Sequence, residues 1–326
     1  MCKYPLTGIR VLEPETGCIT TKVLGFRPGL HIPTDLDRTD HIGSVFQIPC
    51  GQCMECRVAK AREWSVRLLH EAQLHNENSF LTLTYNDDNL PVNGSLNYKH
   101  LQTFMKDLRS NLYYYKNGKK VRFYGIGEYG SLSYRPHFHV ILFGENFADD
   151  RKEWKHLGNG SRYYRSDRLE SVWPYGYSVI GSVTYDSVFY VAKYVTKKIK
   201  GDLAEYVYDG VEPEKALMSR RPGIGHDFLL KYRHDIYNFD KVVLRELELR
   251  PPVYYDKLFA ACHPDEFLEI KQRRRDKAID TQLKVINNRY LDENGHIDWA
   301  AVHNHSDARD SRFNELIKQK RGFEIL

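Results

Sequence analysis

Apolar and polar positions alternate with a period of two in one part of this chain and recur with a helical period further along. Arg135-Pro-His-Phe-His-Val-Ile-Leu-Phe143 is a short apolar run rich in β-forming residues, introduced by Pro136 and stopped by Gly144, and it predicts a buried strand. Alternate side chains of a strand share a face, so His137 and His139 point one way while Phe138, Val140 and Leu142 pack on the other. Val121-Arg-Phe-Tyr-Gly-Ile-Gly-Glu128 predicts a second strand, ended by the turn residues Gly130-Ser131, and the two pair as a hairpin that brings Glu128 opposite the histidines. From Asp186, a good N-cap, to Gly201, a good C′ residue, the period becomes helical: Val188, Val191, Ala192, Val195 and Ile199 form an apolar stripe. Tyr190, Lys193, Tyr194 and Lys197 fall on the opposite face, the two tyrosines one turn apart.

The same reading organises the rest. Residues 1–48 show no sustained period and suggest an extended arm with a short hairpin. Cys50 to Cys56 leads into a helix reaching about Asn76, with Val58, Ala61, Ser65, Leu68 and Ala72 on one side. Phe80-Leu-Thr-Leu-Thr-Tyr85 reads as a strand. Asn97 caps a helix through Leu101, Phe104, Met105, Leu108 and Leu112, and Tyr177 to Val183 is a strand feeding the tyrosine helix. Residues 145–171 are polar and aromatic without period and read as a loop-rich insertion. The expected organisation is an N-terminal arm with a cysteine cluster and helix (1–78), an α+β core (79–200) with helices on an antiparallel sheet, and a charged, mostly helical extension (201–326).

Composition changes this picture little. A 326-residue chain with 41% hydrophobic content can bury a substantial core. No apolar run is long enough for a membrane span and no signal peptide is legible, so the expectation is a cytoplasmic protein without a membrane partner. The net charge of +5 permits nucleic-acid binding without requiring it. The 23 tyrosines, many beside Lys or Arg, suit either sheet packing or stacking on unpaired bases. The loop Ser219-Arg-Arg-Pro-Gly-Ile-Gly225 reads as a connector or, through Arg220 and Arg221, as a phosphate contact, and Arg135 is a third candidate DNA-binding residue. No G-x-x-x-x-G-K-[ST] motif occurs, so no nucleotide-driven motor is indicated.

Two clusters suit metals. Two histidines and a carboxylate (Glu128, His137, His139) form a site with open positions for a substrate oxygen, and its oxygen-rich substrate points to Mg²⁺ or Mn²⁺. Cys50, Cys53 and Cys56 form a C-x-x-C-x-x-C run whose reading stays open between structural Zn²⁺, an iron–sulfur cluster and separate thiols. Zinc needs a fourth ligand, which Cys2 or Cys18 could supply.

The His-x-His strand with the Y-x-x-K-Y helix resembles the HUH endonuclease superfamily. Together with the cysteine run, Gly127-Glu-Tyr-Gly130, Trp173-Pro-Tyr-Gly176 and Pro252-Val-Tyr-Tyr-Asp-Lys257, the chain is similar to the rolling-circle replication initiators of microviruses, especially the gokushovirus group. That resemblance implies a five-stranded antiparallel sheet. It implies a metal on Glu128, His137 and His139, and attack by Tyr190 or Tyr194, aided by Lys193 and Lys197. The implied function is nicking and rejoining of one strand at the phage origin, in the bacterial cytoplasm, with host helicase and polymerase as partners. A relaxase or transposase would share this site, and a metal-dependent hydrolase would use the same ligands without a covalent intermediate.

Overall fold

The computed structural model describes residues 6–12, 19–25, 46–115, 118–130, 132–158, 160–194 and 202–289. The chain forms two compact units, 1–255 and 256–326.

The first unit begins with β1 (Leu6–Leu12), β2 (Ile19–Gly25) and β3 (Phe46–Ile48), which form a small antiparallel sheet in the order β2-β1-β3. The expected arm is therefore a three-stranded sheet. Next come α1 (Met54–Ala72), β4 (Asn78–Tyr85), α2 (Tyr98–Tyr115), β5 (Arg122–Tyr129) and β6 (Pro136–Phe143). They are followed by β7 (Lys152–His156), β8 (Arg162–Arg165), α3 (Asp167–Val172), β9 (Gly176–Gly181) and α4 (Tyr185–Tyr194). The remaining elements are α5 (Asp202–Val207), β10 (Ala216–Met218), α6 (His226–Phe239), β11 (Val242–Leu244), β12 (Leu247–Leu249), α7 (Val253–Cys262) and α8 (Pro264–Arg289). In the second unit Arg274 binds both carboxylate oxygens of Asp256, at 2.7 and 3.0 Å.

The central sheet has seven strands in the order β10-β5-β6-β4-β9-β8-β7, all antiparallel. The fold class is the expected α+β, but the sheet is larger than five strands. Two of the additions, β7 and β8, lie in the stretch read as a loop-rich insertion. Every residue of Lys152–His156 is exposed, so no inward-facing position left an alternating pattern to read.

One face of the sheet buries Leu81, Leu83, Phe138, Val140 and Leu142 against Leu101, Phe104, Met105, Leu108 and Leu112 of α2 and Trp173 beyond α3. Each such fully buried side chain contributes ~1.5–3 kcal/mol. The opposite face packs Tyr124, Ile126, Ile141 and Phe143 against Ala61, Trp64 and Leu68 of α1 and Val188, Val191 and Ala192 of α4. The α4 stripe is the one its period predicts, but its cap differs. Ser187 N–H donates to Thr184 Oγ1 (3.2 Å) and Thr184 N–H to Ser187 Oγ (2.8 Å), a reciprocal capping box that starts the helix before Asp186.

Candidate active site

The β5–β6 hairpin pairs Glu128 with His137 and Ile126 with His139, while β4 sets Thr84 and Thr82 against the same two histidines. Cross-strand partners share a face, so the carboxylate and both imidazoles converge on the α4 side of the sheet. Glu128 Oε2 lies 3.6 Å from His137 Nε2 and 3.5 Å from His139 Nε2, and one ligand atom from each residue falls within 4.8 Å of the others.

The imidazoles are oriented by their other nitrogens. His137 Nδ1 lies 3.1 Å from the Arg135 carbonyl, which can only accept, so Nδ1 carries the proton and Nε2 offers its lone pair. His139 Nδ1 lies 3.2 Å from Thr82 Oγ1, and Phe80 stacks on the ring at 5.4 Å. Such partners fix tautomer and ring angle in metal sites. The donor set, two imidazole nitrogens and a carboxylate oxygen, suits a divalent cation that also takes oxygen ligands.

Tyr190 projects from α4 onto this cluster. Its hydroxyl donates to Glu128 Oε2 at 3.5 Å, and its ring meets the His139 ring edge-on at 5.3 Å. With 37% of its surface exposed it remains accessible, while Glu128 and His139 are buried at 6% and 8%. Lys193 is exposed further along the helix. Tyr194 ends the described part of α4, and its side chain, like the whole of Lys197, lies outside the described residues.

The other candidates are more dispersed. The Arg135 guanidinium is tied to the Tyr85 carbonyl (3.2 Å) and Asp87 (2.7 Å), which anchors the start of β6. Arg220 and Arg221 are exposed on a loop held by its backbone: Arg122 donates to Pro222 O, Arg67 to Ile224 O, and Gly225 N–H to Glu71. The Sγ atoms of Cys50, Cys53 and Cys56 lie within 4.8 Å of one another at the start of α1. Gly51, at φ +71°, makes the turn that lets Cys50 Sγ accept N–H bonds from Gln52 (3.4 Å) and Cys53 (3.3 Å). Cys2 and Cys18 lie outside the described residues. Thr82 and Phe80 were missed from sequence, although the alternation of Phe80-Leu-Thr-Leu-Thr84 does place Phe80, Thr82 and Thr84 on one face.

A helix-borne tyrosine over a sheet that carries two histidines and a glutamate defines a class of protein, and the comparisons agree with it. Residues 78–199 match a family described as Replication-associated protein ORF2. The chain is 34% identical over 230 residues to Replication-associated protein VP4 of Bdellovibrio phage phiMH2K, covering 69% of this chain and 71% of that one. It is 34% identical over 217 residues to Replication-associated protein ORF4 of Chlamydia phage 1 (65% of this chain, 53% of that one). It is also 31% identical over 247 residues to Replication-associated protein ORF2 of Spiroplasma virus 4 (72% and 75%). No solved structure matches the chain. The chain belongs to the replication-associated proteins of microviruses.

Proposed function

We propose that this protein initiates phage DNA replication by nicking one strand at the origin and later rejoining it, through a covalent bond to tyrosine. The observation that carries this reading is the Tyr190 hydroxyl beside a convergent Glu128–His137–His139 cluster. Membership among replication-associated proteins supports the biological setting.

Glu128, His137 and His139 are the residues that would hold Mg²⁺ or Mn²⁺, which when bound supplies positive charge against a non-bridging oxygen of the scissile phosphate. A phenol with an ordinary pKa of ~10 is a weak nucleophile near neutral pH, so Tyr190 needs help to lose its proton. The Glu128 carboxylate is its nearby acceptor, and Lys193, with Lys197 as its proposed partner, adds positive charge along the helix. The Tyr190 oxygen bonds to phosphorus, the bond from phosphorus to the 3′ oxygen breaks, and that oxygen takes a proton. One phosphoester replaces another, so the step reverses without ATP. Tyr194, one turn on, is the proposed second nucleophile for cutting the regenerated origin. Arg135, Arg220 and Arg221 are proposed phosphate contacts. Unwinding and synthesis fall to host helicase and polymerase in the bacterial cytoplasm. The three cysteines are the proposed structural zinc site, with Cys2 as fourth ligand.

The test is incubation of the protein with an origin-bearing single-stranded oligonucleotide and Mn²⁺. A covalent adduct is expected, formed by Tyr190→Phe and Tyr194→Phe each in reduced amount and by the double variant not at all. Cleavage with no adduct at any time would replace this reading with a hydrolase. Metal analysis of protein purified without chelator should find about one zinc that survives His137→Ala.

A further inference from the structure

We infer that Tyr177 is a base-stacking platform that holds a nucleobase of the single strand beside the metal-binding residues. The inference rests on the reading of this site as one for single-stranded DNA. Glu128, His137, Thr84 and Tyr177 are successive cross-strand partners on β5, β6, β4 and β9, and so form one row on one face of the sheet. Two strand spacings of ~4.8 Å put Tyr177 roughly 10 Å from His137.

The two sides of that face differ. The apolar residues of α1 and α4 bury Tyr124, Ile126, Ile141 and Phe143 of β5 and β6, whereas Tyr177 remains 58% exposed. A tyrosine on an inner strand ordinarily packs, and this one is left open beside the candidate site.

Its backbone is firmly held. Thr84 Oγ1 donates to the Tyr177 carbonyl (3.2 Å), and buried Trp173 donates through Nε1 to Thr84 O (3.0 Å). Gly176 lies so close to the backbone of Thr84 and Tyr85 that a Cβ there would clash. The Trp173-Pro-Tyr-Gly176 motif thus fixes where Tyr177 stands. A rigid aromatic ring on two torsions loses little entropy on stacking.

The neighbouring row supplies charge. It runs Ile126, His139, Thr82 and Val179; because Tyr164 pairs with Ile180, Arg165 comes next, and Lys152 pairs with Arg165. Arg165 is bound to Glu170 (2.6 Å) and Lys152 to Asp167 (3.0 Å), exposed pairs of the kind that exchange readily for another anion. An aromatic platform flanked by cations is how proteins hold single strands without reading their sequence.

Equilibrium binding of a fluorescent single-stranded oligonucleotide to the full chain tests this across a salt series. Tyr177→Ala should weaken binding about 5- to 150-fold, Tyr177→Trp should restore it, and Tyr113→Ala, at an exposed tyrosine on α2, should leave it unchanged. Because a phenol carries no charge, the salt slope should not move with Tyr177→Ala, while Arg165→Ala should make it shallower by ~1. An oligonucleotide carrying 5-iodouracil should crosslink to Tyr177 on irradiation. Affinity unchanged in Tyr177→Ala, or equally weak in Tyr177→Trp, overturns the platform. So does a parent protein that binds no single strand, which also removes the reading it rests on. Weakened binding in Tyr177→Ala, from a protein that never forms an adduct, upholds the platform while the nicking chemistry fails.

Discussion

His70 and Glu71 on α1 are the same residue types as His137, His139 and Glu128 on the sheet, yet the two groups are built in opposite ways. His70 is buried, stacked on Phe228 at 3.8 Å, with Nδ1 3.0 Å from the Tyr255 hydroxyl. Glu71 accepts from the Gly225 N–H (2.7 Å) and from Arg122, with His75 at 3.5 Å. One turn before Glu71, the Arg67 guanidinium lies between the rings of Trp64 (4.2 Å) and Tyr254 (4.0 Å). Every one of these groups points at a fixed partner from another element. In the sheet cluster only the Nδ1 atoms do so. The Nε2 atoms turn together toward Glu128 at distances longer than an ordinary hydrogen bond, leaving room for a cation. Buried polar groups matched to fixed partners tie α1, α6 and α7 together, whereas convergent donors at the edge of burial are suited to chemistry.

The contrast breaks most visibly with His139→Ala. Removing a group that serves charge stabilisation in a reaction costs roughly 10²-fold or more in rate. Nicking should therefore be lost while the thermal unfolding midpoint barely moves. Nicking that persists at saturating Mn²⁺, or a protein that no longer folds, would put His139 with the structural cluster.

Glu71→Ala should do the reverse. Removing one partner of a buried ion pair leaves the other uncompensated and costs ~3–5 kcal/mol. Arg122 would lose its carboxylate and the Gly225 N–H its acceptor. Urea unfolding should show a loss of this size, with nicking per folded molecule unchanged.

How legible each cluster was in the sequence follows from its range. The sheet cluster was readable because period-two alternation places His137 and His139 together and one hairpin brings Glu128 across. The α1 cluster was not, because Glu71 meets Gly225 and His70 meets Tyr255 across 154 and 185 residues, with no local pattern to announce either contact. Residues 219–225 suggested phosphate binding by their composition, and only the fold shows their backbone fastened to α1 and β5. The strands β7 and β8 were hidden for the reason given above, and Thr82 went unremarked because a strand threonine is ordinary.

Acid should separate the clusters further. Burial pushes the His70 imidazole down to about 4 from an ordinary 6.5, so the unfolded chain binds the proton more readily than the folded one. Stability from this group is present above pH 6.5 and falls as pH drops toward 4, by up to about 3 kcal/mol. At Glu71 burial raises the carboxyl, but hydrogen bonds from His75 and the Gly225 N–H, with Arg122, outweigh it and leave it below the ordinary range. Its contribution, present above the ordinary value of 4.5, is lost as pH falls further, in the same direction. Unfolding free energies measured from pH 7 to 4 should decline in the parent protein, and His70→Gln should flatten the upper part of that decline. An identical slope in the variant would remove His70 from the account.

The smallest expected effect probes how the sheet cluster is held. Thr82 Oγ1 lies beside His139 Nδ1 on the neighbouring strand, so Thr82→Val keeps the β-branched shape and deletes only the hydroxyl. Loss of an orienting partner of this kind typically costs 10–100-fold in metal affinity. The lower end is expected here: Thr82 is half-buried, so water can reach Nδ1 in its place, and Phe80 still stacks on the ring. Titration of Mn²⁺ should thus show affinity weakened about 10-fold, with nicking restored at saturating metal. That recovery sets a positioning residue apart from a ligand, since His139→Ala would stay inactive at any concentration. Unchanged affinity in Thr82→Val would mean that strand packing alone aims the imidazole.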